Sequence, residues 1–240
     1  MSDLSGPLLS VRGEARLTVA PDCVILAGVI ESSLGSKAEA LRAAAASLDG
    51  LAANLAALGG VALSPATERG PLTWSAQSAT THVERDHDKK TGRYEPTGQV
   101  TAMVAVVIEV RDFGTLDALG SVHASHDAFS VRGVSWEVDG DNPAWAQVRA
   151  AAIQAAIRKG RDYATALGGS LHGVEHIADV GLLGSNGESG GLRFNSAQVA
   201  RAASGPGGEP DAPSLDPVPQ ELTATIEARF TATGVSLAGN

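Results

Sequence analysis

From Leu9 to Val19 the chain alternates. Leu9, Val11, Ala15, Leu17 and Val19 fall on one side, and Ser10, Arg12, Glu14, Arg16 and Thr18 on the other. This is the period-two signature of a strand with one buried and one wet face. Pro21-Asp22 interrupts it, because proline cannot donate to a ladder and aspartate favours a turn. Val24–Glu31 follows as a second strand, apolar on both faces. The period then changes. Leu41, Ala44, Leu48, Leu51, Leu55 and Leu58 recur at steps of three and four, which predicts a helix over 36–58 with a narrow apolar stripe. Ser36 is its expected N-cap, with Glu39 at the capping-box position and Gly59-Gly60 as the stop. A coiled-coil seam would need a longer stripe, so the helix is expected to lie on a sheet.

Residues 65–84 and 94–110 read as two long strands joined by the charged tip His87–Arg93. Residues 102–108 are apolar on both faces, as in a central strand covered from both sides. A short helix over 112–124 has Asp112 as N-cap, and a strand over 129–138 follows. A second long helix over 143–167 opens on Pro143, with Ile153, Ala156, Ile157, Gly160, Ala164 and Leu167 on its apolar side. Gly168-Gly169 ends it, and a strand over 174–183 comes next. Residues 184–219 are rich in Gly, Ser, Pro and Asp and read as a flexible insertion with room for a short helix at 193–203. The last strand, 221–231, alternates like the first, so both are expected in one sheet. The expected architecture is α+β: a mostly antiparallel sheet of about seven strands, covered by two long helices and one short helix. A single domain spans 9–231, with 1–8 and 232–240 as tails.

Composition narrows the picture. Of 240 residues 43% are hydrophobic but only 4% aromatic, so Ala, Val, Leu and Ile must build the core. A chain of this length folds without disulfides or a structural metal. The formal net charge of −9 repels phosphate backbones, so no nucleic-acid partner is expected. Arg158-Lys159-x-Arg161 is the densest basic run and reads as one solvated helix face. The single cysteine, Cys23, excludes an intrachain disulfide, fits a reducing compartment, and lies in an apolar run where a thiol is buried and inert. No basic residue precedes Arg12, and no apolar run approaches the roughly 18 residues needed to span a bilayer. A cytoplasmic protein with no membrane span is expected.

Several motifs look catalytic and fail on context. Gly187-Glu-Ser189-Gly-Gly191 matches a nucleophile elbow, yet it lies in a glycine-rich stretch and no histidine follows Ser189. His172-Gly-Val-Glu175-His176 matches an inverted zincin, which works only on a helix; on a strand the two imidazoles stand about 13 Å apart. His123 and His126 sit at a helix end, where they complement the dipole. His82 and His87 flank the charged tip. Trp74, Trp136 and Trp145 are too scattered to form a stacking platform. No P-loop or dinucleotide-binding glycine pattern occurs. No catalytic, cofactor-binding or metal-ligating residue is assigned, and no cofactor is expected.

One resemblance runs the length of the chain. Val11-Arg-Gly13-Glu-Ala15-Arg-Leu17-Thr-Val19-Ala-Pro21-Asp22 is similar to the opening pattern of the SIMPL-domain family. The alanine-rich first helix ending in Leu58-Gly59, Tyr94 ahead of a long apolar strand, Tyr163-Ala-Thr-Ala-Leu167-Gly168, and the final strand Pro219–Phe230 follow in the family's order. The resemblance covers about residues 9–231. It implies a bacterial protein from a group in which many members are exported to the envelope and others are linked to signalling-complex assembly or stress tolerance. No catalytic residues are carried over with it. The leading expectation is a non-enzymatic, self-associating scaffold or interaction protein, a homo-oligomer that also has room for a protein partner. A small-ligand carrier with Trp74 or Trp136 lining its cleft is the alternative, and a hydrolase the third.

Overall fold

The computed structural model of the chain describes residues 6–65, 69–88, 92–182 and 216–236. In chain order its elements are β1 (Leu8–Val19), β2 (Cys23–Leu34), α1 (Lys37–Ala57), β3 (Val61–Ala62), β4 (Leu72–Ala76), β5 (Thr80–Asp88), β6 (Arg93–Val110), α2 (Leu116–Ala124), β7 (Phe129–Glu137), α3 (Ala144–Ala166), β8 (Ser170–Asp179) and β9 (Gln220–Thr233). They separate into two compact units. The class is α+β, with mostly antiparallel pairing.

The first unit is a three-stranded sheet, β1-β9-β8, under α3. β1 and β9 pair antiparallel without a break from Leu8↔Thr231 to Val19↔Gln220. Their shared alternation sends Leu9, Val11, Ile226, Ala228 and Phe230 into one cluster. α3 meets them with Ala144, Val148, Ala152, Ala156, Gly160 and Ala164, every fourth residue and nearly all small. A row of small side chains lets the helix backbone descend onto the strands. At Gly13 the approach is so close that a Cβ would collide with the Ala152 carbonyl oxygen and lie 2.7 Å from the Ala156 nitrogen. Ile153, Ile157 and Leu167 flank this row half-buried.

The second unit is a six-stranded sheet in the order β3-β4-β6-β2-β7, with β5 also paired to β6. α1 covers one face. Its Ala40, Ala44, Leu51 and Leu55 cluster with Val24, Leu26 and Ile30 of β2 and with Ala102, Val104, Val106, Ile108 and Val110 of β6. The helix ends are those read from sequence. Ser36 Oγ accepts from the Glu39 amide at 3.3 Å. At the other end Gly59 takes φ +79°, Gly59 N donates to Ala56 O, and Gly60 N donates to Leu55 O, a Schellman stop.

The strands thus divide between two sheets, where one continuous sheet was expected. Alternation cannot say which strand is the neighbour. β1 and β2 adjoin in sequence, but among the described residues β1 pairs only with β9, and β2 lies between β6 and β7. The strand expected over 65–84 is also broken. β4 pairs the end of β6 from Val106 to Val110, and β5 pairs it from Met103 back to Arg93. The strand expected from Val174 starts at Ser170, directly after the helix stop, and ends at Asp179, where Leu182 N returns to Asp179 O. β9 runs on to Thr233, beyond the expected tail boundary. Most of the 184–219 insertion, including its expected helix, lies outside the described residues, as does Ser189. Among the described residues no helix is long and apolar enough to cross a membrane.

Candidate functional site

The face of the second unit's sheet turned away from α1 carries a hydrogen-bonded row of polar side chains. β2 contributes Ser33, β6 Thr101 and β5 Glu84 with His82, because Ser33↔Thr101 and His82↔Thr101 are register pairs. Thr101 is buried in a strand whose other residues from 102 to 108 are apolar. Its hydroxyl donates to Glu84 Oε1 at 2.6 Å. Thr101 Oγ1 also lies 2.7 Å from Ser33 Oγ. The Ser33 hydroxyl foremost and the Thr101 hydroxyl next hold the Glu84 carboxyl below its usual range; desolvation opposes them and His82 adds a small favourable charge. Hydrogen bonds donated to a carboxylate favour its ionised form. The row links β2, β6 and β5 through their side chains.

The histidines do not converge. His172 and Glu175 of β8 fall where the register with β9 breaks, between Leu171 and Gly173 and between Val174 and His176. No group of three or more His, Cys, Asp or Glu placed to hold a metal ion occurs among the described residues. His123 is in the last turn of α2 and meets the Phe129 ring edge-on at 5.8 Å. His126 Nε2 contacts the Ser47 carbonyl of α1 at 2.8 Å, docking the end of α2 on α1. Cys23 is buried.

The order of these elements is matched by one family over almost the whole chain. The family model is SIMPL, described as a protein of unknown function (DUF541), and it matches residues 9–230. The chain belongs to the SIMPL family. No curated protein matches it.

In this SIMPL chain the tryptophans serve local packing. Trp136 stands edge-on to Phe113 at 5.3 Å, Trp74 packs on the α1 cluster, and Trp145 Nε1 donates to the Asp139 carbonyl at 2.9 Å with Arg149 over its ring. Arg158 and Arg161 are exposed on α3, and Lys159 Nζ donates to the Arg12 carbonyl of β1 at 3.0 Å. The Ser33-Thr101-Glu84 row was not found from sequence. Its members come from three separated segments, and the one signal was Thr101, a polar residue beside an apolar run.

The row gives a pH signature. Glu84 has a folded-state pKa below its unfolded value, so its contribution to stability is present above the unfolded value and is lost as pH falls through the folded one. Thr101→Val removes one of the two hydroxyls that hold the carboxylate. The Glu84 carboxyl is then expected to titrate at higher pH, read by NMR at its Cδ. An unmoved midpoint would show that Thr101 does not hold the charge.

Proposed function

We propose that this SIMPL protein is a non-enzymatic scaffold that acts by self-association. One observation carries the reading: β6 is apolar on both faces, and among the described residues a helix covers only one of them. Ala102, Val104, Val106 and Ile108 are buried under α1. Met103, Ala105 and Val107 point the other way, opposite Glu31, Val29 and Ala27 of β2, and remain partly open, with Val107 at 36% exposure. An apolar strip on a central strand is a surface that a second subunit would cover.

Light scattering of the full chain at micromolar concentration is expected to give a mass above that of one chain. Val107→Lys, which places a charge on the strip without disturbing the α1 side, is expected to weaken association about tenfold or more. A strict monomer at every concentration tested would overturn the reading.

A further inference from the structure

β5 and the first part of β6 form an arm that leaves the sheet. β2 follows β6 only as far as the Leu34↔Val100 pair, and β4 only over Val106–Val110, so residues 93–99 have no strand on their second side among the described residues. Pro96 has no amide to offer there, and Gly98 at φ +85° breaks the ladder, which keeps the arm two-stranded. A lone two-stranded ribbon is marginally stable in water.

The two faces of the arm differ in character. On the α1 side, Leu34, Val100 and Val83 form an apolar row across three strands, with Leu34 40% and Val83 51% exposed. Beyond them on the same face come Arg85, Pro96, His87 and Tyr94. Tyr94 is 66% exposed and meets His87 edge-on at 5.1 Å. The opposite face carries Glu84, Asp86 and Glu95, with Arg93 nearer the tip. Asp86 and Glu95 are directly opposed across the pair, two like charges whose juxtaposition is destabilising. No ion pair of Arg85, Asp86 or Glu95 occurs among the described residues.

We infer that a second copy of the chain docks on this arm head to tail, the Arg85/Tyr94 face of one arm against the Asp86/Glu95 face of the next. The sign of the charges decides the geometry. Like faces would set Arg85 against Arg85, or the acidic pair against itself. Unlike faces set guanidinium and imidazole against the opposed carboxylates, while Leu34, Val83 and Tyr94 lose water. Such a contact is heterologous, so it closes into a ring or propagates. The inference rests on the self-association reading and assigns it a second surface, separate from the Val107 strip.

A charge swap tests it. Arg85, Asp86 and Glu95 are exposed, so their substitution leaves the core untouched, as far-UV circular dichroism would verify. Arg85→Glu alone, and Asp86→Arg with Glu95→Arg, are each expected to raise the concentration at which assemblies dissociate about tenfold or more. The triple variant, with both faces reversed, is expected to regain the wild-type mass, and Tyr94→Ala to lose it. A wild-type assembly that Arg85→Glu leaves unchanged, or that the triple variant fails to restore, overturns the arm interface while self-association stands. A monomeric wild type removes both.

Discussion

Gly13→Val is expected to dismantle the first unit while leaving the second folded. β1 and α3 touch at Gly13 through backbone. A Cβ there meets the Ala152 carbonyl oxygen, the Ala156 nitrogen and the Ala156 Cβ, the last two at 2.7 and 2.8 Å. No rotamer change relieves a clash with helix backbone, so either the helix lifts or the strand slides. Lifting α3 uncovers Val11, Ala228 and Phe230 together. Overpacking of ordinary side chains costs about 1–3 kcal/mol, and valine against fixed backbone should exceed that range. Hydrogen exchange reads the outcome separately in each unit: protection lost in β1, β9 and α3, and retained in β2, β6 and α1. Equal protection everywhere would show that the helix has room to shift.

Phe230→Ala should cost about 3–5 kcal/mol, the range for a buried aromatic truncated in place. Phe230 is the largest fully buried side chain among the described residues and sits in a core otherwise made of Ala, Val, Leu and Ile. Its ring is accommodated by Gly160 of α3, where a Cβ would stand 3.0 Å from Cδ2. The two positions are therefore coupled. In the Phe230→Ala background that crowding is gone, and Gly160→Ala should recover about 1 kcal/mol through helix propensity and partial filling of the cavity. Chemical denaturation of the single and double variants measures this directly. An additive result would mean that Gly160 is not there for the ring.

These two residues also show how much the sequence discloses. The matching alternation of 9–19 and 221–231 placed the first and last strands together, and they pair in continuous register. Capping was equally legible at Ser36, Gly59 and Gly168, because each rests on a local conformational requirement. The apolar side of α3 was half legible. Ala156, Gly160 and Ala164 were expected and are buried, whereas Ala144, Val148 and Ala152 complete a step-of-four row of small residues that a hydrophobicity pattern underweights. The division into two sheets was not legible, since alternation specifies a face and not a neighbour. The polar tie at Ser33, Thr101 and Glu84 was hidden for a different reason. Each residue is unremarkable alone, and only the β2–β6–β5 pairing brings them together.

The pairing of β1 with β9 sets an order of events during synthesis. Arg12 and Glu227, joined across that pair, lie 215 positions apart. At typical elongation rates β1 leaves the ribosome about 10–40 s before its partner exists. Meanwhile β2 to β7, a contiguous stretch whose ends are clasped by the Asp22 amide on the Glu137 carbonyl, has every pairing strand it needs. Throughout that wait β1 is a lone twelve-residue strand with an apolar side, the kind of segment that seeds aggregates. Arg12, Glu14 and Arg16, charges of both signs on its wet side, act as gatekeepers for the nascent chain as much as surface groups of the finished one.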